Sequence, residues 1–197
     1  MKTYILILSF VGSIFISCAS SSTSSKAGSE SKNKVNCIDV GSYDNSDLNT
    51  FLKSSVDLCN QLSANVEKLD EINDFVEDPS AWMAMEVSKA TSPYKEKLRD
   101  AAYLASNPEK IKEELEAEFA KMIAEEIVKE INKVIQDANT RLSGSSGALN
   151  SAKGLDGMEK LSAAKDVANA SKNYKATVTL AKELLTQTTR LMNNLKS

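Results

Sequence analysis

From Leu52 onward the apolar residues recur at steps of three and four: Leu52, Val56, Cys59, Leu62, Val66, Leu69, Ile72 and Val76. The spacing averages close to 3.5 residues, the period of a helix packed lengthwise on a neighbour. The same signature returns from Ile111 through Leu115, Phe119, Met122, Ile123, Ile127, Ile131, Val134, Ala138 and Leu142. A third stripe runs through Leu161, Ala164, Ala168, Ser171, Tyr174, Val178, Ala181, Leu185, Thr188, Met192 and Leu195, with many small or hydroxyl members. Either close backbone packing or a partly open groove suits such a stripe. Seven glycines and three prolines in 197 residues leave little to interrupt these helices, and alternating β-branched runs are scarce. The expected fold is all-α: an elongated antiparallel bundle of three long helices and a proline-broken fourth.

The breaks fall where capping chemistry allows them. Asn45 or Ser46 can cap the first helix, with Asp47 favourably placed for the helix dipole. Asp78-Pro79 ends that helix and begins the next, proline being tolerated at the first helical position. Pro93 removes a backbone donor inside the segment 80–105, which predicts a kink or two short helices, with Tyr94, Leu98, Ala101 and Ala105 on the core face of the second piece. Asn107-Pro108 starts the next helix, with Asn107 as its cap. Residues 143–157 hold four of the seven glycines and are predicted to be a loop. The last helix is expected from about Met158 to Leu195. From Arg141 onward there are nine basic and four acidic residues, against acidic first and third helices. That asymmetry favours one compact body over separate arms.

Several function classes are excluded by what the chain lacks. It has no histidine, so histidine-based general acid/base pairs and most zinc or di-iron ligand sets are ruled out. Carboxylate pairs such as Glu113-Glu114 and Glu125-Glu126 alternate with core positions and read as solvated helix faces. The scattered glycines follow no strand and form no phosphate cradle. A net charge of −3 does not suit a general nucleic-acid binder, which needs a concentrated basic face. The expectation is a non-enzyme with no catalytic residue, metal or cofactor, and no nucleic-acid partner.

The amino terminus has a different character. Lys2 is the only charge before residue 26, and ILILSFVGSIFI, Ile5 to Ile16, is a short apolar core ending in small residues. These are the parts of a secretory signal, too short for the ~20 residues that span a bilayer. Cleavage after Ala19 by signal peptidase I is one reading. The other is carried by Phe15-Ile16-Ser17-Cys18, which resembles a lipobox, with Phe15 where leucine is commonest. Bulky apolar residues at that position resemble the relaxed lipoboxes of spirochaete lipoproteins. The resemblance covers residues 1 to about 25 and implies a diacylglycerol thioether on Cys18. Ala19, rather than aspartate, follows the cysteine, which by similarity to enteric sorting implies the outer membrane. Residues 19–36, ASSSTSSKAGSESKNKVN, can bury almost nothing and suit a flexible tether, spanning roughly 23 Å as a coil. The organisation is thus a signal peptide over 1–17, a tether over 18–36 and a helical domain over 37–197.

With Cys18 lipidated, Cys37 and Cys59 remain, an even number in an oxidising compartment, which favours a disulfide. The eleven-residue stretch from Cys37 to Asp47 is long enough to run back along the first helix to Cys59. Two unpaired thiols, with Cys59 a small core residue, are the alternative. Trp82, the single tryptophan, stands with Met83 and Met85 in AWMAMEV. Core packing is favoured for it, and an exposed anchor for a partner is the sharper alternative. Together these features predict an envelope lipoprotein held in the membrane by its acyl chains and presenting a helical bundle to another protein, from a host or from the envelope, at the cell surface. A structural or assembly component facing the periplasm is the alternative.

Overall fold

The computed structural model describes residues 35–100, 103 and 107–196. The signal segment, Cys18 and the tether up to residue 34 lie outside the described residues, as do Ala101 and Ala105. What is described is all-helical, with no β-strand among the described residues. No helix among them is long and apolar enough to cross a membrane.

Helix α1 spans Ser46–Glu77. Asn45 is its cap: the backbone N–H of Leu48 donates to Asn45 Oδ1 at 2.9 Å, satisfying one of the amides left free in the first turn. Asp78 then caps α2, Pro79–Ser88, by accepting from the Ala81 N–H at 2.9 Å, with Pro79 opening the helix. Pro93 separates α2 from the short α3, Lys95–Arg99, so the proline divides this region into two pieces. Helix α4, Pro108–Met122, begins after Asn107, whose side chain makes no cap bond. That departs from the capping role expected for Asn107.

A single wide π-helical turn, Ile123–Ile127, joins α4 to α5, Val128–Ser143. The apolar residues here explain it. Leu115, Phe119, Ile123, Ile127 and Ile131 follow one another in steps of four, and in an α-helix each such step advances the stripe by ~40°. A π turn rotates less per residue and cancels part of that drift. All five are essentially inaccessible to solvent.

The glycine-rich stretch after α5 is not a loop. Residues Ser145–Lys153 form α6. Its Ala148 and Ala152, one turn apart, are buried, and the helix packs against α1 and the last helix, Gly157–Asn194. Burial of these two methyl-bearing faces outweighs the low intrinsic helix propensity of serine and glycine, as tertiary packing commonly does. Gly157, at φ +52°, makes the left-handed turn into α7, Gly157–Asn194.

Helix α7 also corrects the expected stripe. Leu161, placed on the inner face from sequence, is 65% exposed, and Met158 beside it 77%. The buried positions are Ala163, Val167, Ala170, Asn173, Tyr174, Thr177, Ala181, Leu184, Thr188 and Leu191. Leaving Asn173 aside, they alternate in strict steps of four and three. On α1, Leu48, Leu52, Ser55, Cys59, Leu62, Val66 and Leu69 follow the same alternation, and the two helices pack on each other. The small and hydroxyl residues are therefore the seam itself. Thr188 stays buried by donating to the Leu184 carbonyl at 2.6 Å, and Ser55 by donating to Leu52 at 2.7 Å.

The far end of α1 is closed by aromatic rings. Phe75 meets Trp82 at 5.3 Å and Phe119 at 5.1 Å between ring centroids. Trp82 also meets Tyr94 at 5.2 Å and Phe119 at 5.6 Å. Edge-on contacts of this kind contribute about 0.5–1.5 kcal/mol beyond area burial, and here they tie α1, α2, the Pro93 turn and α4 to one point. Truncation of Trp82 to alanine is expected to destabilise the domain by ~3–5 kcal/mol. Leu161→Ser on the exposed face should change stability by less than ~0.5 kcal/mol. Urea unfolding followed by circular dichroism compares the two directly.

Candidate functional site

Residues 35–45 have no helix of their own and are nonetheless fixed. Their backbone is read by side chains of α1 and α7. Asn173, only 2% exposed, accepts from the Ile38 N–H at 2.9 Å and donates to the Ile38 carbonyl at 2.8 Å. The same amide nitrogen reaches Ser55 Oγ at 3.3 Å. Asp166 Oδ2 accepts from the Gly41 N–H at 2.8 Å and from the Tyr43 hydroxyl at 2.6 Å. Asn49 accepts from the Tyr43 N–H at 2.8 Å and donates to its carbonyl at 2.5 Å. Val35, Val40 and Tyr43 pack on the core. A β-carbon on Gly41 would sit 2.8 Å from Asp166 Oδ2 and 3.1 Å from the Tyr43 hydroxyl, so Gly41 is what lets the carboxylate reach the strap.

The strap is also bonded covalently. Cys37 and Cys59 form a disulfide, with Cα atoms 5.9 Å apart. The folded body therefore begins almost where the serine-rich stretch ends, at a covalent link to the fourth turn of α1. Sequence reasoning reached the two cysteines but missed Asn173, Asp166 and Asn49. A buried asparagine within an apolar-spaced helix is the signal that points to the first of them.

Trp82 is 2% exposed and lies at the centre of the aromatic cluster, so it is a core residue and not a surface anchor. Trp82 Nε1 has no hydrogen-bond partner among the described residues, and the ring is held by its edge-on contacts with Phe75, Tyr94 and Phe119 within the core. Of its companions, Met83 is half-buried against the core and Met85 is 42% exposed. The three do not form one patch. One turn beyond Trp82, Glu86 is buried at 1% exposure. Its carboxylate accepts from Lys89 Nζ and Ser92 Oγ, which fastens the end of α2 to the turn before Pro93. Burial, reinforced by the Glu86 charge and opposed by Lys89, raises the pKa of the neighbouring Glu71.

One groove stands out on the surface, between the first half of α1, the end of α5 and α6, with a volume of about 710 Å³. Phe51, Leu58 and Ala148, each 6–7% exposed, give the lining an apolar part beside Ser54, Gln61, Thr140 and Ser151. Asp47 and Asp57 stand on the α1 wall, with Asp137 and Arg141 on the α5 wall. No group of histidine, cysteine, aspartate or glutamate side chains among the described residues is arranged to hold a metal ion. Behind this lining, Tyr174 is fully buried, packs edge-on to Phe51 at 5.2 Å and donates to the Phe51 carbonyl at 2.6 Å.

Comparison with protein-family models, curated proteins and solved structures finds no match to this chain.

Asn173→Ala leaves both backbone groups of Ile38 without their partner and should destabilise the domain by ~1–3 kcal/mol. Reduction of the Cys37–Cys59 bond should remove about 3 kcal/mol in the chain-entropy account. Denaturant titration of the variant, and of wild type with and without reductant, measures both. Tyr43, Tyr94 and Tyr174 are each pushed up to about 12, first by burial; Asp166, through hydrogen bond and charge, adds to the shift at Tyr43. The unfolded chain loses these protons near pH ~10, before the folded chain does. Stability is thus full below about pH 10 and falls as pH rises toward 12. Melting temperatures recorded across that window should decline, and less steeply for Tyr174→Phe than for wild type.

Proposed function

We propose that this chain is a lipid-anchored bacterial envelope protein, acylated at Cys18 and exposed at the cell surface on the outer membrane, whose helical body binds another protein rather than catalysing a reaction. The observation that carries the reading is the Cys37–Cys59 disulfide. A bond of this kind persists in oxidising compartments, in accord with the secretory signal, and it leaves Cys18 as the one cysteine without a partner in the chain. The serine-rich stretch that follows Cys18 gives way directly to a strap fixed by that bond, the arrangement that suits a domain hung from an acyl anchor. Two or three acyl chains hold a protein stably where one is marginal.

The body is read as an elongated antiparallel bundle. Contacts supporting that arrangement run in opposite order along α1 and the α4–α5 rod. Phe75 faces Phe119, Lys68 faces Glu130 at 3.7 Å, and Leu58 shares a groove with Asp137 and Arg141. The inference from architecture to binding is one of association, so its test is direct. Cys18→Ala should abolish incorporation of labelled fatty acid and release the protein from membranes; label retained on the variant would sink the anchor. Protease added to intact cells should remove the helical domain. Survival until the outer membrane is permeabilised would instead place it on the periplasmic side, as a structural or assembly component.

A further inference from the structure

The groove between α1, α5 and α6 has a shape and charge that specify an occupant. Along α1 it extends from Asp47 to Gln61, about 21 Å at 1.5 Å per residue, and its volume of about 710 Å³ falls within the ~300–1,000 Å³ of ligand-binding clefts. A trench of that length is matched by a peptide segment better than by a compact metabolite. Phe51, Leu58 and Ala148 form the apolar part of its lining, with the carboxylates of Asp57 on α1 and Asp137 on α5 beside them.

Asp47 serves the amino-terminal end of the α1 dipole, but Asp57 and Asp137 lie within helices, and neither forms a salt bridge among the described residues. Arg141, a turn beyond Asp137, is likewise without a salt bridge among them and sits at the α6 end of the trench. The groove carries three carboxylates, Asp47, Asp57 and Asp137, against the one guanidinium of Arg141, and the complement of a partly apolar groove with that excess of negative charge is a helix with an apolar stripe and a basic flank. We infer that the groove is a docking site for a basic amphipathic helix of a partner protein, its aliphatic face over Phe51, Leu58 and Ala148 and its lysines or arginines against Asp57 and Asp137.

This inference rests on the binding function proposed above and gives it a site and a partner chemistry. The test uses the purified full chain and a fluorescent model helix of about 14 residues built from leucine and lysine, long enough to fill the trench. Two control peptides replace lysine by glutamate, or leucine by serine. Fluorescence anisotropy should show saturable binding of the leucine–lysine helix, weakened between ~50 and ~500 mM salt, and little binding of either control. Asp57→Asn with Asp137→Asn should weaken it roughly fivefold, and Arg141→Glu should strengthen it. As a control for total charge, Glu125→Gln with Glu126→Gln, both exposed on the π turn, should leave it unchanged. Circular dichroism melts establish that each variant is folded.

Equal binding of the lysine and glutamate helices, equal binding of the serine control, or equal weakening by the Glu125/Glu126 pair would each overturn the proposal. Its failure is separable from failure of the anchored-lipoprotein reading. Fatty-acid labelling at Cys18 and protease shaving do not depend on the groove, so a chain that passes both and ignores the peptide loses only this site.

Discussion

The buried stripe on α1 runs from Leu48 to Phe75, about 40 Å along the helix, and different neighbours cover successive parts of it. Near its start α7 supplies Tyr174 against Phe51. Along its middle α7 and α5 share the work. At its end the cover is a set of rings from α2, the Pro93 turn and α4. Between these, where Ser55 and Cys59 leave only small side chains on the seam, the extended strap is laid in and bonded. The arrangement of the remaining elements follows from completing that cover.

Small residues on the α1–α7 seam have two effects. They let the helices approach closely, and they leave less apolar area per residue than leucine would, at ~25 cal/mol per Å² buried. Polar contacts and a covalent bond are concentrated in the same region: Asn173 on Ile38, Asp166 on Gly41 and Tyr43, and the Cys37–Cys59 link. At the aromatic end ring packing is joined by the buried Glu86 carboxylate, which accepts from Lys89 and Ser92.

Much of this was legible in the sequence, and the failures are instructive. Periodicity located α1, the α4–α5 rod and α7, because leucine, isoleucine and phenylalanine at steps of three and four contrast with the charges between them. It misplaced the inner face of α7, where the contrast is weak. Leu161 is more apolar than Ala163 and so attracted the stripe, but it lies outside the packed seam. Glycine count suggested a loop where α6 forms, since propensity does not register the burial of Ala148 and Ala152 by elements distant in sequence. The cysteine pair was legible from compartment and chain length, whereas the asparagines and aspartate that read the strap were not, because their partners are backbone groups that any sequence possesses. The groove was invisible because Asp57, Asp137 and Arg141 look like solvated helix charges until the fold sets them around one groove.

The disulfide also decides how the domain meets mechanical load. Tension arriving at Cys37 from the amino-terminal side has two routes into the fold, along the backbone through residues 38–58 or across the sulfur bridge to Cys59, and the bridge is far shorter. The pull enters α1 part-way along its length, with packed helix on either side of the point of attachment. Residues 38–58, which include most of the strap and most of the α1 wall of the groove, lie within the loop that the bridge closes and are bypassed by that tension. A helix gripped in this way has to be sheared from its neighbours over many contacts at once, where one pulled from its end would peel away a turn at a time.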